Sequence, residues 1–242
     1  MKKFLIALQF LTIIPVRLKN VEEKELSGSV NYYPVVGLLI GFLLAGSWLL
    51  LSIVFPVTVS ALVVTGIYLL LTGALHLDGF ADTVDGLYGG RTKEDIFRIM
   101  ESSTIGAKGA AFTFLLLGLK IILISSLSTK AVYPALILFP VLSRYSITIL
   151  MKYSDYAKEN GLGKAYCGKI SNISFLIINL ASAGAALIFG VKGLVAFLTV
   201  ALMAIIIKNY FNKKIGGVTG DIFGFTIETA ETVVLLIFVA GF

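Results

Sequence analysis

Charge is scarce in this sequence. Only 14% of its 242 residues are Asp, Glu, Lys or Arg, against about a quarter in a soluble globular domain, which excludes an ordinary water-facing surface. Cysteine and histidine are nearly absent, with one of each. Cys167 has no partner for an intrachain disulfide, and neither Cys167 nor His76 has a second Cys or His close by with which to build a zinc site. A small-residue cleavage site is missing after the apolar stretch 4–16, which runs into Pro15-Val16-Arg17. That stretch therefore reads as a retained helix, interfacial or packed on the rest of the protein, and not as a removed signal peptide. No periodic repeat or low-complexity tract occurs, so residues 1–242 read as a single integral membrane domain.

Apolar side chains are what the sequence has in abundance. They make up 57% of it, and the mean hydropathy is +0.95. A bilayer core of ~30 Å needs about 20 mostly apolar residues per helix. Segments 34–55, 57–75, 109–127, 131–151, 173–189 and 193–207 meet that need, and 226–242 does so only beyond Glu231. The expected fold is an all-α polytopic membrane helical bundle of about seven transmembrane helices plus the N-terminal helix.

On this assignment the connectors alternate, short after the first, third and fifth helices and long after the second, fourth and sixth. Of the 20 Lys and Arg residues, Lys130 and Lys192 fall on the side of the short connectors, and Lys120 and Arg144 fall within helices. The other sixteen, Arg17 among them, share the side of the long connectors (20 − 2 − 2). The positive-inside rule then places the long connectors in the cytoplasm. It also accounts for the net charge of +6 without a nucleic-acid partner. All 14 acidic residues lie on or near the same side, so a cytoplasm-facing active site is expected.

The densest polar stretch is His76-Leu77-Asp78-Gly79-Phe80-Ala81-Asp82-Thr83-Val84-Asp85-Gly86. Asp78, Asp82 and Asp85 stand at i, i+4 and i+7, which puts their carboxylates on one face of a continuous helix. Like charges on one stripe repel unless a cation sits among them, and oxygen-only ligands suit Mg²⁺ or Mn²⁺, which also accept substrate phosphates. The alternative is a solvated acidic helix start, favoured by the helix dipole. Placement directly after a membrane helix favours the metal reading. His76 is either a hydrogen-bonded structural group or a proton acceptor; the nearby carboxylates would raise its pKa.

Further along, Arg91, Arg98 and the run Ser102-Ser103-Thr104-Ile105-Gly106-Ala107-Lys108 offer cations and free backbone N–H groups at a helix start, a phosphate-binding arrangement. Two glycine-bearing knots, Lys158-Glu159-Asn160-Gly161-Leu162-Gly163-Lys164 and Gly216-Gly217-Val218-Thr219-Gly220-Asp221, let backbone approach a ligand closely. Asp221, Glu228 and Glu231 read as a second acidic group at the mouth of the last helix, so that two metals can clamp the attacking and leaving oxygens of an in-line displacement. Arg144 within an apolar helix must reach an anionic group.

These motifs resemble those of the cobalamin synthase family, the adenosylcobinamide-GDP ribazoletransferases. The resemblance rests on the run from His76 to Gly86, on Asn31-Tyr32-Tyr33-Pro34-Val35-Val36-Gly37, Ile99-Met100-Glu101-Ser102-Ser103-Thr104-Ile105-Gly106, Ser143-Arg144, Glu159-Asn160-Gly161-Leu162-Gly163 and Gly217-Val218-Thr219-Gly220-Asp221, and it covers nearly the whole chain. Glu101 and Asn160 depart from the family's pattern.

The resemblance implies that adenosylcobinamide-GDP is joined to α-ribazole or its 5′-phosphate, with Mg²⁺ as cofactor and GMP released. It implies small-molecule partners, a corrinoid nucleotide and α-ribazole, within membrane lipid, and it allows a homo-oligomer. The expected site has His76, Asp82 and Asp85 in catalytic roles. Asp78, Asp82, Asp85, Asp221 and Glu228 are expected to hold metal. Arg91, Arg98, Lys108 and Arg144 would bind phosphate, and Gly161, Gly163, Thr219 and Gly220 would accommodate nucleoside or ribazole. Two other classes compete: a CDP-alcohol phosphotransferase with a lipid acceptor, and a secondary transporter.

Overall fold

Helices dominate because a chain this apolar must satisfy its backbone N–H and C=O groups internally. The computed structural model describes residues 1–16 and 18–241; Arg17 and Phe242, the latter ending the last expected span, lie outside the described residues. Among the described residues there are eleven α-helices and no strand, only an isolated backbone bridge between Tyr156 and Val218. The helices are α1 (Lys2–Leu11), α2 (Glu23–Ser29), α3 (Tyr33–Val54), α4 (Val57–Thr72), α5 (Leu75–Gly89) and α6 (Lys93–Met100). They continue as α7 (Ala107–Ser126), α8 (Thr129–Tyr153), α9 (Asn172–Leu187), α10 (Gly190–Ile215) and α11 (Gly220–Val239).

Five runs are long and apolar enough to cross a membrane: Glu23–Val54, which contains α3, and α7, α8, α10 and α11. The expected count of about seven resolves differently. α9 has 16 residues, and α4, also 16 residues, bends by 90° into α5. The bend is made by two left-handed residues in succession, Gly73 and Ala74, with φ of 62° and 54°. Left-handed geometry costs a residue with a Cβ of order 1–3 kcal/mol, so Ala74 holds a strained conformation at the point where the chain turns to present its aspartates. α1, at 10 residues, is too short to span; it packs on α2 and α3 through Ile6, Ala7 and Leu11.

α8 forms the axis of the bundle. Every residue from 138 to 151 is buried, and α3, α9, α10 and α11 pack around it. Gly37 and Gly41, one turn apart on α3, lie against the α8 backbone at Pro140 and Ile137, the close approach that small residues permit between membrane helices. The outer helices turn large apolar side chains outward: Phe114 is 82% exposed and Val191 72%. Such surface suits a membrane protein and not a water-facing one.

Three connections, α3–α4, α7–α8 and α9–α10, are two-residue turns, as the sequence implies. The sixth connector, expected to be long, is instead the four residues 216–219. Lys213 and Lys214 in the last turn of α10 favour its C-terminal dipole, and Thr219 caps α11 by accepting from Ile222 N. Polar residues that resemble a loop are thus helix ends.

Candidate active site

The carboxylates of α5 sit where three loops converge on its polar face. α5 is continuous from Leu75 to Gly89, so Asp78, Asp82 and Asp85 do share one face. It crosses the start of α11 with almost no side chain between the backbones: a Cβ on Gly79 would stand 2.8 Å from Asp221 O, and one on Gly224 2.6 Å from His76 O. That crossing brings Asp221 to the row, and its charge is felt at Asp82 together with those of Asp78 and Asp85. Partial burial first, and then these three neighbours, push the Asp82 carboxyl up to about 6.

Asp85 is held by the first turn of α7. Its carboxylate accepts Gly106 N–H at 2.7 Å and Gly109 N–H at 2.8 Å, and a Cβ on either glycine would overlap it. The helix start expected to receive phosphate is therefore capped by a carboxylate of the same site. Arg98 and Lys108 border a cavity of about 480 Å³ beside it, with Tyr88, Ser102 and Thr104. Arg98 also pairs with Asp95 at 3.0 Å. Arg91 is exposed on the turn after α5 and lines neither this cavity nor the next.

A second, more enclosed cavity of about 220 Å³ opens at the other end of the row. His76, Asp78, Asp221 and Gly220 border it, as do Tyr156 and Gly163 from the α8–α9 connector. That connector is pinned to the turn before α11 by Ala157 N–H donating to Val218 O (2.9 Å) and Val218 N–H to Asp155 O (3.0 Å). Gly161 and Gly163 pack against the Tyr156 ring. Thr219 is buried, and its hydroxyl donates to Asp221 Oδ2 at 3.2 Å while it caps the helix.

His76 is 5% exposed and its Nδ1 has no partner. Burial, and then the positive charges of Arg144 and Lys120, hold its imidazole well below the usual range. The effect expected from nearby carboxylates is outweighed, and the charged imidazolium is disfavoured.

Glu228 and Glu231 do not join the aspartates. Seven residues of helix place Glu228 about 10 Å deeper than Asp221, where Lys120 Nζ donates to Glu228 Oε2 (2.5 Å) and Glu231 Oε2 (2.6 Å). Arg144 Nη1 donates to Glu231 Oε1 (2.7 Å), Tyr68 Oη (2.7 Å) and Ser143 Oγ (2.9 Å), and Tyr68 itself donates to Glu231. Arg144 thus meets an anion, as expected of a buried arginine, and the anion belongs to the protein. Two acids and two bases balance in a cluster with almost no exposure.

Sequence reading gives two residues no role of their own. Lys158 lies 3.3 Å from Glu101 and 3.5 Å from Asp221, tying the α6–α7 loop to α11 over the aspartate row, and Tyr156 forms a wall of the smaller cavity. Both stand in the Lys158–Lys164 knot or next to it, and only the backbone pairing with Val218 reveals their direction.

Among the described residues, no three His, Cys, Asp or Glu side chains converge into a ready-made metal cage. Mg²⁺ is usually bound through one or two carboxylates plus waters and substrate phosphates. The oxygen-only row, half-exposed and without a balancing cation except Lys158, fits that mode. Glu228, already paired with Lys120, does not.

Fold and site together define a class: a polytopic α-helical membrane protein that gathers carboxylates, cations and glycine loops at one end of its bundle, as an enzyme handling an anionic substrate requires. The family follows from comparison with known proteins. A family model described as cobalamin-5-phosphate synthase matches residues 3–239, and the chain belongs to that family. Proteins named adenosylcobinamide-GDP ribazoletransferase are similar along nearly their whole length. That of Alkaliphilus metalliredigens is 36% identical over 98% of this chain and 94% of its own. Those of Geotalea daltonii and Acinetobacter baumannii are each 34% identical, over 99% and 100% of this chain and 98% of their own. No solved structure matches. The protein is a transferase.

Proposed function

We propose that the protein transfers the cobinamide-phosphate moiety of adenosylcobinamide-GDP to α-ribazole or its 5′-phosphate, forming adenosylcobalamin or its 5′-phosphate and releasing GMP, at the cytoplasmic face of a prokaryotic cytoplasmic membrane. One observation carries the reading. Segments far apart in a chain that matches the family from residue 3 to 239 meet around a single row of aspartates, between two cavities.

A ribazole hydroxyl attacks the phosphorus nearest cobinamide, a new P–O bond forms, and the bond to the bridging oxygen breaks as GMP departs. Asp78, Asp82 and Asp221 would hold Mg²⁺, with Asp85 fixed at the end of the row by α7. Bound there, Mg²⁺ supplies the positive charge that phosphoryl transfer needs on the leaving group. Arg98 and Lys108 contact phosphate oxygens from the larger cavity. The hydroxyl proton passes to a carboxylate of the row. His76 is the weaker acceptor, because burial and the charges of Arg144 and Lys120 oppose its protonated form.

Detergent-solubilised protein supplied with adenosylcobinamide-GDP and α-ribazole is expected to release GMP only when both the acceptor and Mg²⁺ are present. Release that persists with EDTA would remove Mg²⁺ from the proposal. Absence of release from folded protein would remove the reaction, and CMP release from a CDP-alcohol would install the lipid-forming alternative.

A further inference from the structure

The two cavities flank the same aspartate row and differ in chemistry. The larger one, at the Asp85 end, presents the cations Arg98 and Lys108 and the hydroxyls of Ser102 and Thr104. The smaller, at the Asp78 end, has no Lys or Arg in its wall. It is closed by Phe10, Ile147, Phe223 and Ile227, by backbone at Gly79 and Gly224, and by the ring of Tyr156. Its one nitrogen-bearing side chain is His76, 95% buried, whose Nδ1 lacks a partner. The slot is thus walled mainly by apolar side chains and backbone, carries no cation, and has His76, Asp78 and Asp221 as its ionisable wall residues.

We infer that the smaller cavity is the acceptor subsite, taking the flat, uncharged benzimidazole of α-ribazole against His76 and Tyr156, while the larger cavity takes the departing guanylate. The inference rests on the proposed reaction and gives it a direction along α5. Asp78 and Asp85 are seven residues apart, about 10 Å of helix, with Asp82 between them. An in-line displacement needs its attacking and leaving oxygens on opposite sides of phosphorus, and a slot at one end of the row with a cation-lined cavity at the other provides that order. The ribose hydroxyls would meet Asp78 and Asp221 in the slot's wall, which aims the attacking oxygen at a phosphorus over Asp82. At about 220 Å³ the slot is of nucleoside size and excludes the corrinoid, which stays outside the row.

The test is equilibrium binding of α-ribazole and of GMP, each alone, to full-length protein in detergent with Mg²⁺, a readout that needs no turnover. Gly220→Leu is the chosen obstruction: Gly220 borders the slot, has ordinary negative-φ geometry, and an added Cβ there meets nothing within 4 Å. It should weaken α-ribazole at least about tenfold, roughly 1.4 kcal/mol, and leave GMP within about twofold. The double variant Arg98→Gln, Lys108→Gln should do the reverse. Ile147→Phe, which fills the slot from α8, repeats the first result by a different route, and size-exclusion profiles establish that each variant is folded.

Loss of GMP binding in Gly220→Leu with α-ribazole retained would overturn the assignment, as would equal loss of both ligands in every folded variant. Failure of the proposed reaction looks different: wild-type protein would bind neither ligand and release no GMP.

Discussion

Two sets of acidic side chains lie on crossing helices and are treated in opposite ways. Asp78, Asp82 and Asp85 on α5, joined by Asp221, are exposed or half-exposed like charges whose cation neighbour is Lys158 at their edge. Glu228 and Glu231, deeper on α11, are wholly buried and matched one for one by Lys120 and Arg144. A charge left unbalanced at the mouth of a membrane bundle is poised for a ligand. A charge balanced inside it holds helices together. On the proposed function the same residue chemistry is divided between reaction and scaffold by depth and by count of partners, and each set should fail in its own way.

The largest expected effect is on turnover. Asp82→Asn should lower GMP release by more than about a thousandfold, ~4 kcal/mol in the barrier, while the protein still inserts and elutes as wild type. Normal activity in that variant would erase the distinction between the two sets. The converse variant is Lys120→Met, which leaves Glu228 and Glu231 sharing one cation; breaking such a buried pair costs about 3–5 kcal/mol, read as a large fall in thermal midpoint in detergent. Adding Glu228→Gln removes the orphaned charge and should recover most of that loss. If the double variant is no better than the single one, the cluster is not held by charge balance.

A middle-sized effect is expected where site and scaffold meet. Gly109→Ala pushes a methyl group into the space of the Asp85 carboxylate, so Asp85 leaves the first turn of α7 and two part-buried N–H groups lose their acceptor, about 1 kcal/mol. Turnover should fall with stability, unlike in Asp82→Asn, where the two separate.

A smaller, pH-dependent difference sharpens the comparison further. The Asp82 carboxyl is raised from an ordinary 3.8 to about 6 in the folded protein, so its charged form disfavours folding. Without Mg²⁺, stability should therefore be lowest above pH 6 and rise as pH falls from about 6 toward about 4. Asp82→Asn should abolish that rise, and Mg²⁺ at pH 7 should substitute for it. A thermal midpoint insensitive to Mg²⁺ in wild type would mean that the row does not hold the metal.

Much of this arrangement is legible in the sequence, for identifiable reasons. Apolar length alone gives the membrane bundle, and the spacing of Asp78, Asp82 and Asp85 gives the shared face, because both depend only on local periodicity. The right-angle bend at Gly73-Ala74 is not legible, since a left-handed alanine is chosen by packing and not by propensity. Arg144 must meet an acid, yet which acid is a matter of fold: Glu231 lies 87 residues away. Glu228 looks like a neighbour of Asp221 until the helix is seen to begin at Gly220, which turns a short stretch of sequence into about 10 Å of depth. His76 has carboxylates near it in the chain, but burial first, and then the charges of Arg144 and Lys120, lower its pKa, and burial is set by the fold.

The smallest effect belongs to a third set of acids, Glu22, Glu23 and Glu25, exposed or half-exposed at the start of α2. Each has a partner: Glu22 N–H donates to Glu25 Oε2 at 3.0 Å, Lys2 approaches Glu25 at 2.6 Å, and Glu23 pairs with Lys169. Those contacts tie α1 and the α8–α9 connector to α2, but they stand in solvent, where an ion pair contributes little. The Glu25 carboxyl is lowered by its hydrogen bonds to Lys2 and Glu22, so whatever stability it adds is present at neutral pH and lost as pH falls through its folded value. Glu25→Gln should therefore shift the thermal midpoint slightly at pH 7, not at all in strong acid, and leave GMP release within about twofold of wild type. A large loss of release in this variant would mean that balanced, exposed acids also serve the reaction, and that charge balance is not what separates structure from function in this chain.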